Sequence, residues 1–250
     1  MKKYIVIFVL LISMILINLN SCKKNEEIAN NAIEHPLDIS KYGEIHNEVL
    51  GMFYKNGHSK STLSFQEKVN LIDKYLAQVV EGIDEGMFTS IVNSNQLGIK
   101  TYLEQISNSE SDIQTGYYII NDIYEKEQIT ENEKIYCTSI ISAYEEYPFD
   151  FPELLNKLYE IEQDILADAS LSLSEKKNLQ KVFSITVASI EFWEEAPLIL
   201  PNKGIPWYVK DCTGAIAGVQ TGLVGYATTL FGPWGGAAAL LGSAIFASAI

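Results

Sequence analysis

The sequence contains no arginine. All 18 basic residues are lysines, and they stand against 32 Asp and Glu in 250 residues, a formal charge of −14. Without guanidinium groups the chain has no bidentate partner for phosphate or carboxylate. The acidic excess argues against a nucleic-acid partner, because that binding needs cations that displace counterions. Histidine and cysteine are scarce, with three of each. His35, His46 and His58 lie 11 and 12 residues apart, whereas a helical zinc site needs ligands at short spacing. No metal and no cofactor is expected. His46 sits four residues after Tyr42 and three before Val49, so it reads as a buried or half-buried structural histidine with one nitrogen hydrogen-bonded. There is no Gly-x-Ser-x-Gly elbow, no phosphate-binding Gly-Lys-Ser/Thr, and no dinucleotide fingerprint behind a strand. Adjacent carboxylates such as Glu145-Glu146 and Glu194-Glu195 do not face each other on a helix. They read as solvated surface rather than an acid–base pair, and a non-enzymatic protein is expected. Disorder is excluded too, since 47% of residues are hydrophobic and only 20% charged.

What is present is helical periodicity. Phe65, Val69, Ile72, Leu76, Val79 and Ile83 follow spacings of four and three, one apolar face of a helix. Ser64 with Glu67 forms a capping box in front of it. The same start signal recurs as Thr130 with Glu133, Asp150 with Glu153 and Ser172 with Glu175. Leu154, Leu158, Ile161 and Ile165 make a second stripe, and Leu179, Val182, Phe183, Thr186, Val187 and Ile190 a third. Ile39, Tyr42, Val49 and Phe53 suggest a first helix. Tyr117-Tyr118-Ile119-Ile120 has a strand-like local composition, but its acidic continuation favours helix. No Asn-Gly or Asp-Gly hairpin lies between alternating residues. The expectation is an all-α fold: six to seven helices over an acidic domain at 38–196, a proline-containing linker at 197–211, and a distinct segment at 212–250.

The amino terminus reads as an address. Lys2 and Lys3 precede the uncharged stretch from Tyr4 to Leu19, 16 residues long, shorter than the roughly 20 a spanning helix needs. A removable signal over 1–21 fits it. Leu19-Asn20-Ser21-Cys22 resembles a bacterial lipobox. That resemblance implies lipidation of the Cys22 thiol, with palmitate-type chains, and a tether over 22–37. Lys23-Lys24-Asn25-Glu26-Glu27 resembles the charged stretch of Bacteroidota-type lipoproteins, with Asn25 interrupting the pattern. It implies a cell-envelope protein, lipid-anchored to the outer membrane and directed to the cell surface. Gly43 to Leu50 is similar to a stretch near the start of lipoproteins of the same kind, and this likeness carries no activity. With the signal removed, 16 lysines face 32 acids, a charge of −16.

No charged side chain follows Asp211, yet half of the 16 glycines lie there. Gly214, Gly218 and Gly222 form a G-x-x-x-G-x-x-x-G series, with Gly225 beyond it. On a helix such residues leave a groove that another backbone can enter. Ala239, Ser243 and Ala247 repeat the small-residue spacing. Gly232-Pro233 marks a turn, so the segment reads as a helical hairpin, 213–230 and 234–250. Trp207, Tyr208 and Trp234 suit a membrane interface. The segment resembles glycine-zipper membrane proteins and small Gly/Ala-rich bacteriocins. It departs from the latter because it is fused to a large acidic domain and no Gly-Gly leader precedes it. The resemblance implies a membrane-associating hairpin, bacteriocin-like or pore-forming, with a lipid membrane as partner and self-association through the hairpin. The alternative expectation is a surface binding or scaffold lipoprotein in which the hairpin is a buried part of the fold. Helices apolar all round are buried somewhere, in protein or in lipid. A disulfide between Cys137 and Cys212 is permitted in an exported protein, and two separate buried thiols are the other option.

Overall fold

Four sequence-predicted start signals are present as caps. Ser64 and Thr130 each accept from the amide of the glutamate three residues on and receive that glutamate's side chain in return. Asp150 accepts from the Glu153 amide, and Ser172 exchanges both bonds with Glu175. The computed structural model describes residues 36–58, 63–109, 111–195, 207–219 and 221–249. The expected signal and tether, Cys22 and His35 lie outside the described residues, as does 196–206 of the expected linker.

The described residues are all α-helical apart from turns and caps. In chain order the helices are α1 Ile39–Lys55, α2 Phe65–Val79, α3 Met87–Ser94, α4 Ile99–Asn108, α5 Asp112–Glu125, α6 Glu131–Glu146, α7 Phe151–Ala167 and α8 Leu173–Glu195. The C-terminal segment adds α9 Trp207–Gly218, α10 Thr221–Phe231 and α11 Pro233–Ser248. The stripes read from sequence face inward: Val69, Ile72, Leu76, Leu154, Leu158, Ile161, Ile165, Leu179, Val182 and Ile190 are buried.

Two corrections concern the count. Among the described residues, eight helices, not six or seven, precede residue 196. The extra break falls after α3, where Asn95, Leu97 and Gly98 all take left-handed backbone and a single 3-10 turn, Gln96–Gly98, redirects the chain into α4. The expected hairpin is three helices rather than two. Residues 207–211, assigned above to a linker, are the first turns of α9 and are buried from Tyr208 onward. The 117–120 stretch lies within α5 and is helical.

Helix α11 is the centre of the core. It packs against α9, α10, α2, α1, α3 and α4, and every residue from Gly235 to Ser248 is buried. Its face is apolar all round, and here the burial is provided by protein. Leu240, Leu241, Ile245 and Phe246 are each 2% exposed or less, and each such burial contributes about 1.5–3 kcal/mol. Small residues set how near the neighbours come. A Cβ on Gly242 would sit 2.3 Å from the Phe88 ring on α3, and one on Gly235 would sit 2.1 Å from the Ala227 carbonyl oxygen on α10.

Candidate functional site

The polar groups that matter are at the end of α11 where α1, α8 and α9 converge. Gly43 lets α1 lie directly on α8, since a Cβ there would meet the Ser184 carbonyl oxygen at 2.5 Å. One turn further, Asn47 donates from Nδ2 to the Ala188 carbonyl at 2.7 Å. That bond fixes the amide, so its Oδ1 faces His46 Nδ1 at 2.9 Å and accepts from it. His46 is fully buried, and its other nitrogen lies 3.6 Å from Asp211 Oδ2 on α9. The same carboxylate oxygen accepts from the Ser189 hydroxyl and, at 3.1 Å, from the Trp193 indole, both on α8. Nearby, Tyr54 donates to the Ser248 carbonyl at the end of α11 at 2.7 Å. Burial, and then the Asp211 carboxylate, push the Tyr54 hydroxyl above its ordinary range. A second polar tie sits along α9, where Lys210 lies 3.4 Å from Asp112 of α5 with both side chains largely buried.

Serine, histidine and aspartate are thus together, but not wired for nucleophilic catalysis. Activation needs the histidine to take the serine proton while the carboxylate orients the histidine. Here the Ser189 proton is directed to Asp211, and His46, Ser189 and Asp211 are all fully buried. The arrangement supplies a polar anchor for α9 against α1 and α8, with both donors on Asp211 Oδ2 and none on its buried Oδ1. Asp211, the last charged residue before the uncharged segment, is fully buried. The signal was in the register: Tyr208, Asp211, Cys212 and Ala215 share one helical stripe, and all four are buried.

The glycine series does form a close-packed seam, inside the chain. A Cβ on Gly214 would lie 2.5 Å from the Ser243 carbonyl and 2.8 Å from the Ala247 Cβ. One on Gly218 would lie 2.8 Å from the Leu240 Cα and 3.1 Å from the Ala239 carbonyl. Gly214 and Gly218 of the predicted glycine series therefore face Ala239, Ser243 and Ala247 across α9 and α11. Gly225 takes no part, for a Cβ there would meet nothing within 4 Å. Gly222 lies on α10, and its surroundings are outside the described residues. Gly232 (φ 67°) and Pro233 make the expected turn, capping and starting α11. Tyr208, read as an interface aromatic, is buried and donates to the Pro148 carbonyl at 2.6 Å. Trp234 is half-buried, seated over Gly82. The Trp207 side chain lies outside the described residues.

Cys137 and Cys212 are free, buried thiols, so the bridge allowed by the sequence is not formed here. Burial pushes Cys212 up to about 12 and Cys137 well above the ordinary thiol range. Neither should react with a thiol reagent at pH 8 in the folded chain, and both should react once denaturant unfolds it. Fast labelling without denaturant would show that α9 opens locally.

Among the described residues, no group of three or more His, Cys, Asp or Glu is placed to hold a metal ion. Open clefts are present among the described residues. The one beside the buried cluster, about 520 Å³, is lined by Asn47, Glu191, Phe192 and Glu194. A cleft of about 640 Å³ is flanked by Glu125, Glu127 and Glu131, and a smaller one lies between α4 and α5. Buried Lys181 on α8 faces the Tyr42 ring at 5.7 Å. Burial, and then neighbouring Lys177, pull its ammonium down to about 7. A lowered lysine favours the neutral form in the fold, so its penalty is full below that value and disappears as pH rises toward 10.5. Relative to Lys181→Met, the wild type should gain about 1–2 kcal/mol of unfolding free energy between about pH 7 and 8.5. Parallel pH profiles in urea titrations of the two proteins would contradict this.

Compared with protein families, curated proteins and solved structures, the chain finds no match.

Proposed function

We propose that the chain is a lipid-tethered binding or scaffold protein of the cell envelope, non-enzymatic, whose C-terminal Gly/Ala-rich segment is the core around which an acidic helical domain is built. The observation that carries the reading is the burial of α11 from Gly235 to Ser248, with Gly214 and Gly218 of α9 packed on its backbone. The small-residue surface that would pair helices in lipid is already occupied. The tether rests on the lipobox-like residues ending at Cys22. Deleting 212–250 is expected to unfold the domain and expose apolar surface, seen as lost near-UV circular dichroism and as dye binding. A truncated protein that stays folded and monomeric would overturn the reading. Replacing Cys22 with Ala should release the otherwise folded protein from the membrane fraction.

A second reading keeps a membrane role for 212–250. Its support is the absence of any charge after Asp211. Among the described residues, no helix is long and apolar enough to cross a membrane, so this reading requires peripheral contact or a rearranged state. Leakage of phosphatidylcholine vesicles by the folded full chain would favour it over the first.

A further inference from the structure

Among the described residues, the uncharged segment reaches the surface along α10 and at the turn into α11. Leu230 is 51% exposed, Pro233 is exposed, and Tyr226, Phe231 and Trp234 are half-buried around it. Gly225 lies on open backbone, and exposed Thr229 turns its hydroxyl back to the Gly225 carbonyl at 2.8 Å. The surface therefore offers apolar area with little unmet polarity, the kind of exposed patch that marks an interaction site. Exposed carboxylates flank it on one side. Trp234 is seated over Gly82, and Glu81, Asp84 and Glu85 are exposed in that same turn. A separate observation falls on this face as well. The 3-10 turn packed against α10 holds Leu97, a bulky residue, at φ 53°. Left-handed backbone at such a residue is uncommon, and strain of this sort concentrates at functional sites.

We propose that α10 and the turn after it dock a protein partner whose face has an apolar centre and a lysine- or arginine-bearing rim. Stable interfaces have this anatomy, an apolar core within a polar rim. The carboxylates select the occupant. A second copy of the chain would set acid against acid. An anionic lipid surface would be repelled, and residues 212–249 contain no lysine to draw the chain toward one. The proposal rests on the reading of the chain as a binding domain and names the chemistry of what it binds.

The test is photo-cross-linking of the full chain in the cells that make it. p-Benzoylphenylalanine replaces Leu230 in one variant and Phe149, exposed to 74% on the loop before α7, in the other. The expected result is a discrete protein adduct from position 230 and none from 149. It should fall at least tenfold with Glu81→Lys, Asp84→Lys and Glu85→Lys combined, and also when intact cells are washed in 0.5 M salt. Should the triple variant fail to fold, the salt wash and Asp84→Lys alone carry the charge test. No adduct, an adduct with lipid or with a second copy, or a protein adduct indifferent to charge and salt would overturn the proposal. Membrane-fraction recovery of the same variants, dependent on Cys22, reports separately on the tether.

Discussion

Gly218→Ile is expected to leave no stably folded domain. The added Cβ alone would lie 2.8 Å from the Leu240 Cα and 3.1 Å from both the Ala239 carbonyl and the Ser243 Cβ. Two of these three neighbours are backbone of α11, which is itself held by six other helices. Neither helix can give way without unpacking the core. Overpacking a well-filled site costs about 1–3 kcal/mol, and more where the surroundings are rigid. Isoleucine would drive α9 and α11 apart and remove the burial of Leu240 and Leu241 as well. A domain of this kind has about 5–15 kcal/mol in total, so loss of most of it is the expected reading in urea titration. Gly225→Ala is the internal control. Its Cβ would meet nothing within 4 Å, and replacing a helix-interior glycine stabilises by about 0.5–1 kcal/mol. Equal effects at the two positions would show that the seam across α9 and α11 is not what holds the fold.

Asp211→Ala should be nearly as damaging. It removes the acceptor for the Ser189 hydroxyl and the Trp193 indole and the carboxylate beside His46, all within the buried junction of α1, α8 and α9. Removing the shared acceptor leaves buried donors dry and unpaired, at about 1–3 kcal/mol for each group. For a domain of this size that corresponds to a melting temperature lower by about 10 °C or more. Asp211→Asn keeps an acceptor oxygen and should lose about half as much. An alanine variant that melts with the wild type would mean that the cluster is solvated in solution and anchors nothing.

These two positions show what could be read from the sequence and what could not. The four caps and the three apolar stripes are local signals, and they placed α2, α6, α7 and α8. The turn at Gly232-Pro233 was equally local. The break after α3 was not legible, because it depends on Leu97 adopting left-handed backbone, and a single Asn95 before it, though a type that does so readily, is a weak signal. The glycine seam was half legible. Its two small-residue sets were visible as spacing, but apolar periodicity is the same whether lipid or protein covers the helix. That is why a membrane hairpin and a buried core both fitted residues 212–250. The polar cluster was the least accessible, since His46 and Asp211 are 165 positions apart and a carboxylate at the edge of an uncharged segment looks, in sequence alone, like the place where the chain returns to water.

The central claim is that α11 is structural core in the resting protein. Native-state hydrogen exchange of the full chain tests it directly, with and without phosphatidylcholine vesicles. The account predicts that amides from Leu240 to Phe246 exchange only through global unfolding, with the same free energy as urea titration gives and no change on adding vesicles. Exchange of these amides well below the global free energy, or a vesicle-dependent change in their protection, would contradict it.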